Sequence, residues 1–305
     1  MKTYEQATII GIGLIGGSLA AAFKLENISE RIVGVDIDSD SLKVAEKKGI
    51  IDEGYKEIKK GVKNSDLIII AVPVANISSI LNEIQVHAEP GSLIFDVGSI
   101  KGEVIKQANQ LVKQRSDLCF IGGHPMAGSE KSGVKWSDPD IFKDAPFILV
   151  PLKETSEKQV SNLSDIVNRI GGIVKIMGEE EHDKMVGYIS HLPHLIAFSL
   201  VNNINNCNNH QKIFELSAGS FKDVTRIAVS PPDLWADICL SNRSKLEPIF
   251  DEFLKELNKV KKMLTKADRA GLLNYFEKAG QRKSELIQEE KQDGRGIKRI
   301  KKRNR

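Results

Sequence analysis

Ala7-Thr8-Ile9-Ile10-Gly11-Ile12-Gly13-Leu14-Ile15-Gly16-Gly17-Ser18-Leu19-Ala20-Ala21-Ala22-Phe23 is the stretch that decides the fold of this 305-residue chain. It reads as a buried strand, a glycine turn and a helix. Gly11 permits the tight turn, Gly13 lets the backbone approach a pyrophosphate, and Gly16 lets the helix sit close on the strand. The helix opening at Leu14 and Ile15 aims unpaired backbone N–H groups and the positive end of its dipole at phosphate oxygens. A lone G-x-G-x-x-G turn is weak, but here a second strand follows, Arg31-Ile32-Val33-Gly34-Val35. It ends at Asp36, about 20 residues beyond Gly16, where an acid is expected to bond the adenosine ribose. The expected ligand is a dinucleotide. Asp36 and Asp38, with no Arg between them, should repel a 2′-phosphate and favour NAD over NADP.

Working outward, strands alternate with helices. Ser39 to Lys48 reads as a helix, 52–60 as an unassigned connection, and Asp66-Leu67-Ile68-Ile69-Ile70-Ala71-Val72 as a strand covered on both faces and ended by Pro73. Further strands are expected at Leu93–Val97, Leu118–Ile121, Phe147–Val150 and Ile173–Ile176, with helices from about Ile77, over 103–113 and over 156–170. The pattern implies an α/β fold, a doubly wound, mostly parallel, Rossmann-like sheet. Val72 and Pro73, at a strand's carboxyl end, belong to the expected cofactor site.

Beyond Gly178 only helical periodicity remains. Glu179-Glu180-Glu181 favours the first turn of a helix reaching to about Asn206 and interrupted by Pro193. Leu246, Ile249, Phe250, Phe253, Leu254, Leu257, Val260, Met263 and Leu264 recur at helical steps, continued by Leu272, Leu273 and Phe276. The expected organisation is a dinucleotide-binding domain over 1–177, an all-helical second domain over 178–288 and a basic tail over 289–305. A helical domain this short with so much apolar surface is expected to complete its core against a second copy.

Composition narrows the classes further. The net charge of +3 conceals a tail in which residues 295–305 carry seven Lys/Arg and no acid, so the rest of the chain is net negative. That tail, without interleaved aromatics, reads as a solvated end rather than a nucleic-acid module. No basic segment followed by an apolar run opens the chain, and no run is long enough to span a bilayer. Cys119, Cys207 and Cys239 are too few and too scattered for a disulfide or zinc framework, which suits the cytoplasm.

Polar groups gather at the carboxyl ends of the expected strands and in the helical part. His124 lies directly after a strand, between glycines and Pro125, where a near-neutral imidazole on a rigid element suits general base chemistry. Ser99 either caps the following helix or touches a ligand, and Glu130 could simply favour a helix start. In Ser190-His191-Leu192-Pro193-His194 the proline leaves a carbonyl without its donor, costly unless something uses it. His191 and His194, with His182 and Asp183, have the residue types but not the pattern of a metal site, so no metal is assigned. Arg226 either pairs with Asp223 or acts as a forked anion clamp for a carboxylate.

These pieces together resemble the prephenate dehydrogenase family, including its arogenate and cyclohexadienyl relatives. The resemblance rests on Gly11–Ser18, Asp96-Val97-Gly98-Ser99-Ile100-Lys101, Gly123-His124-Pro125-Met126-Ala127-Gly128-Ser129-Glu130, Ser190–His194 and Thr225-Arg226-Ile227-Ala228, in that order over about residues 9–283. It implies a nucleotide-binding domain, a helical dimerisation domain and an active site between them, with NAD as cofactor. It implies that His124 is the catalytic base and that Ser99 orients it and the substrate hydroxyl. Arg226 would bind a ring carboxylate, and Ser190, His194, Glu130 and Trp235 would line the substrate pocket. The chain ends without the regulatory or chorismate mutase domain that some relatives carry. Two other readings remain: a β-hydroxyacid dehydrogenase with Lys184 as acid/base, and a silent dinucleotide sensor whose tail touches nucleic acid.

Overall fold

The computed structural model describes residues 3–128 and 131–292, with the backbone alone for 290–292. The first strand, β1 (Tyr4–Ile10), enters the glycine turn and helix α1 (Leu14–Leu25). The chain continues through β2 (Ser29–Val35), α2 (Ser39–Lys47), β3 (Glu53–Tyr55), α3 (Ile58–Gly61), β4 (Leu67–Ile70), α4 (Val74–His87), β5 (Leu93–Asp96) and α5 (Gly102–Gln114). Then follow β6 (Cys119–Pro125), two short 3-10 turns, β7 (Pro146–Pro151), α6 (Glu157–Arg169) and β8 (Ile173–Ile176). Among the described residues eight strands form one sheet in the order β3-β2-β1-β4-β5-β6-β7-β8. All neighbours pair in parallel except β6 with β7.

Burial agrees with the central place of β4 in this order. All four residues of β4 are wholly buried, as a central strand covered on both faces requires. Apolar residues of α1 and α6 cover one face, with Leu19, Phe23, Leu163 and Ile166 in one core cluster. Those of α4 and α5 cover the other, with Ile77, Leu81, Ile105 and Ala108. Ser156 and Gln159 close a reciprocal capping box at the start of α6.

Three local expectations change. The unassigned connection over 52–60 holds the three-residue β3 and leads into α3; both are too short for periodicity to reveal. Asp38 is the N-cap of α2, accepting from the backbone of Asp40 and Ser41, so its side chain serves the helix. And β6 runs through Gly122, Gly123 and His124 to Pro125, so His124 lies within a strand rather than after one. Two glycines argue locally against a strand, but β7 pairs back along them, with His124 opposite Ile148. Gly123 is required there: a Cβ would lie 2.4 Å from the Asp96 carbonyl oxygen.

After Gly178 the described residues are helical. The helices are α7 (Glu179–Val186), α8 (Leu192–Asn205), α9 (His210–Glu215), α10 (Gly219–Thr225), α11 (Pro232–Ser241), α12 (Arg243–Thr265) and α13 (Arg269–Gln292). Between α7 and α8 the chain does not break at Pro193. It passes through a π-helical turn, Gly187–His191, in which Leu192 N–H bonds the Gly187 carbonyl. The described residues up to Leu246 form one compact unit and those from Glu247 onward a second. The division falls later than the change of texture near Gly178 because α7 and α11 are bonded into the sheet unit, as described below. Within the second unit, Leu254, Leu257, Leu264, Leu273 and Phe276 are exposed. No helix among the described residues is long and apolar enough to cross a membrane. The basic run 295–305 lies outside the described residues.

Candidate active site

The glycine turn is built as its sequence demands. Gly11 has φ +96°, and a Cβ there would lie 2.5 Å from the Ala71 carbonyl oxygen; one on Gly16 would collide with the Gly11 carbonyl. Around Gly13, by contrast, a Cβ would meet nothing within 4 Å, so the backbone is open on that side. Gly13 is the N-cap of α1, and among the described residues no side chain caps Leu14 or Ile15. The N–H groups there remain available to an anion. Asp36 Oδ2 accepts from Ile12 N–H at 2.7 Å and Oδ1 from Asp38 N–H at 2.9 Å, tying the turn to the end of β2. Val72 follows β4 beside Gly11, and Pro73 is the N-cap of α4. An open backbone donor set beside a fixed carboxylate fits a dinucleotide pyrophosphate and ribose.

The strongest polar constellation lies at the end of β6. His124 Nδ1 is 2.8 Å from His182 Nε2, and His182 Nδ1 is 2.7 Å from Asp183 Oδ1. The carboxylate can only accept, so it fixes His182 as the Nδ1–H form. With His182 in its neutral form, Nε2 accepts from His124 Nδ1–H, which leaves the lone pair of His124 on Nε2. Asp183 also accepts the backbone N–H groups of Lys101 and Gly102, both at 2.8 Å, and so caps α5 from α7. Burial would raise the Asp183 pKa, but its hydrogen bonds to His182, Lys101 and Gly102 outweigh that and hold it below the usual range. Burial, helped by His182, Lys101 and His191, holds the His124 pKa well below the ordinary imidazole value. The ring is therefore neutral at pH 7.

Beneath this chain Lys101 and Asp96 form an ion pair with both side chains fully buried. Lys101 Nζ also donates to the Gly123 carbonyl at 2.8 Å, while Asp96 accepts from Gly98 and Gly123 N–H. The pair thus locks the backbone next to His124. Ser99, on the same loop, makes no hydrogen bond among the described residues, and its place as a helix cap is taken by Asp183.

A second group gathers on the helical segment. His194 Nδ1 donates to the Ser190 carbonyl at 2.8 Å, and its ring stacks on Trp235 with centroids 3.6 Å apart. The carbonyl engaged is that of Ser190, one position past Ile189, whose i+4 donor Pro193 lacks. Burial and the nearby Arg226 charge lower the His194 pKa, against the Ser190 bond. Arg226 is exposed and, among the described residues, enters no ion pair; Asp223 does not hold it. Its guanidinium is free to take an anion beside His194. Lys184 is exposed on α7. Glu130 lies outside the described residues.

His182 is the residue that sequence reasoning passed over, considering it only as a metal ligand. Its signal was the His182-Asp183 pair at the head of the first helix after the sheet, a base beside the acid that can orient it.

Fold and turn define a Rossmann-type nucleotide-binding protein, and comparison with known proteins narrows the class. The model of the prephenate dehydrogenase nucleotide-binding domain matches residues 19–176, and that of the prephenate dehydrogenase dimerization domain matches 178–278. The chain belongs to the prephenate dehydrogenase family, a family of oxidoreductases. It is 38% identical to prephenate dehydrogenase of Bacillus subtilis (strain 168) over 274 residues, covering 89% of this chain and 73% of that protein. To cyclohexadienyl dehydrogenase of Zymomonas mobilis it is 31% identical, covering 92% and 95%. Among solved structures it resembles prephenate dehydrogenase from A. aeolicus in complex with hydroxyphenyl propionate and NAD+. The TM-score is 0.87 at 31% identity, covering 93% of this chain and 99% of that one.

Proposed function

We propose that this protein catalyses the oxidative decarboxylation of prephenate to 4-hydroxyphenylpyruvate with NAD+ as hydride acceptor, in the tyrosine branch of aromatic amino acid synthesis in the cytoplasm. The observation that carries the reading is the Asp183–His182–His124 chain, which leaves one imidazole lone pair, on His124 Nε2, free to take a proton. Two relatives at 38% and 36% identity bear the prephenate dehydrogenase name, which favours prephenate over arogenate. The A. aeolicus structure holds NAD+, and Asp36 is an acid where a 2′-phosphate would be repelled.

Residues 1–177 would bind the nucleotide, with Gly11, Gly13, Leu14, Ile15 and Gly16 cradling the pyrophosphate, Asp36 the ribose, and Val72 and Pro73 adjoining. Bound NAD+ supplies the hydride acceptor. As the C4 hydride leaves, His124 Nε2 takes the C4 hydroxyl proton; the ring carboxylate departs as carbon dioxide, its bonding electrons make the ring aromatic with the C4 oxygen as a phenolate, and that oxygen takes the proton back from His124. The new imidazolium charge is shared through His182 with the Asp183 carboxylate. Arg226 would anchor the ring carboxylate. Ser99 would orient the hydroxyl, and Ser190, His194, Trp235 and Glu130 would line the pocket. Residues 178–288 would carry the homodimer contact, in keeping with the dimerization-domain match and the exposed apolar residues of α12 and α13. No metal enters this reading.

The test follows reduced-nucleotide absorbance with prephenate or arogenate, each with NAD+ or NADP+. Prephenate with NAD+ is expected to give the highest kcat/KM. Absence of reduced nucleotide with every pair would overturn the proposal.

A further inference from the structure

Asn242 enters no step above, yet it is only 1% exposed and sits where α11 ends and α12 begins. Its side-chain nitrogen lies 2.8 Å from the Asp183 carbonyl oxygen and 3.0 Å from His191 Nδ1. The first contact fixes the orientation of the amide, because a carbonyl oxygen cannot donate and must face the NH2 group. The second N–H then points at His191 Nδ1, which must carry a lone pair. His191 is thereby held as the uncharged Nε2–H tautomer. A proton on Nδ1 would set donor against donor where the ring is only 1% exposed.

The two partners of this amide belong to different parts of the site. Asp183 is the carboxylate end of the imidazole chain. His191 closes the π turn and meets Trp235 edge-on, with centroids 6.1 Å apart and planes at 76°; Trp235 in turn stacks on His194. Trp235 lies on α11, and Asn242 is the C-cap of the same helix. One amide therefore ties the helix carrying Trp235 both to α7 and to the π turn.

We propose that Asn242 is a positioning residue that holds His191 as its neutral Nε2–H tautomer and keeps the Trp235–His194 wall in register with the Asp183–His182–His124 chain. The titratable groups around His191 are Asp183, His182 and His194; burial, their net effect included, lowers its pKa to about 4. A charged His191 would also add positive charge near His124, whose pKa it already lowers. The kinetic consequence rests on the proposed function; the tautomer does not.

The test uses the full chain labelled with 15N-histidine and long-range 1H–15N correlation spectra, with His191 assigned through His191→Gln. In the unaltered protein His191 is expected to be the Nε2–H tautomer, without titrating between pH 8 and about pH 5.5. Asn242→Asp replaces the donor by an acceptor, so His191 is expected to gain a proton at Nδ1 and to titrate at or above its ordinary value near 6.5. Asn242→Leu, which removes both hydrogen bonds, is expected to lower kcat/KM about 10–100-fold, the scale of an ångström-sized misplacement. A Nδ1–H tautomer in the unaltered protein overturns the proposal even if no substrate is turned over or a variant fails to fold. So does a folded Asn242→Leu with unchanged tautomer and kcat/KM.

Discussion

Replacing His182 by Phe keeps a ring of similar size in a fully buried site but deletes the acceptor for His124 Nδ1–H. In the resting enzyme that bond joins two neutral rings and contributes about 1 kcal/mol. Once Nε2 has taken the substrate proton the donor is cationic, and the bond becomes roughly twice as strong. Only the difference acts on the chemical step, since binding common to ground and transition states leaves kcat unchanged. That increment, about 1 kcal/mol, corresponds at 1.36 kcal/mol per decade to about a 5-fold loss of kcat. That is a floor, because the His124 tautomer is no longer fixed by Asp183. Asp183 itself keeps its bonds to Lys101 and Gly102, so the start of α5 should survive. The assay is nucleotide reduction at saturating prephenate, with circular dichroism to check the fold. A folded His182→Phe protein with kcat within twofold of the parent would refute the relay. So would a defect confined to KM.

Three further outcomes follow from the same geometry. His124→Asn, which removes the proposed base, is expected to lower kcat by about 10²–10⁴-fold with KM for the substrate little changed, as read by steady-state kinetics. Arg226→Ala should raise KM instead; because Arg226 is exposed, the lower end of the range for a broken charge pair applies, about 2 kcal/mol or roughly 30-fold. Acid pH should act on stability before it acts on the base. The His191 pKa is lowered to about 4, so as pH falls below about 6.5 the unfolded chain binds a proton that the folded one does not. Stability is thus lost between about 6.5 and 4, by about 3 kcal/mol from this ring alone. Thermal melts from pH 7 to 4.5 should show Tm falling with pH, less steeply in His191→Gln. The acid limb of kcat/KM should lie well below pH 6.5, since the His124 pKa is lowered too; a limb at or above 6.5 would contradict the burial of that ring.

Much of the nucleotide half is legible in sequence because its signals are local. Gly11 must adopt a positive φ, β4 must be apolar on both faces, and α1 must follow at once; each requirement is met by neighbours within a few positions. His124 was legible as a candidate for the same reason, flanked by a strand, glycines and a proline. The extent of its strand was not. Gly122 and Gly123 favour a turn until β7, some 25 residues on, pairs with them and Asp96 packs against Gly123 too closely for any Cβ. Likewise Pro193 reads as a break, but the chain passes from α7 into α8 through a π-helical turn without leaving helical geometry.

Sequence by itself determined the alternation of strands and helices, the glycine turn with its acid, and the residue types able to bind a carboxylate and take a proton. Periodicity and turn chemistry act over one or two turns of chain, and a short window contains them. Tertiary structure alone decided which side chains meet. His182 reaches His124 across 58 positions, and Asn242 reaches Asp183 across 59, because Asp183 caps α5 and so fixes α7 against the sheet's carboxyl end. Such contacts depend on how helices are docked. Docking is a sum over many weak apolar contacts that no short window of sequence contains.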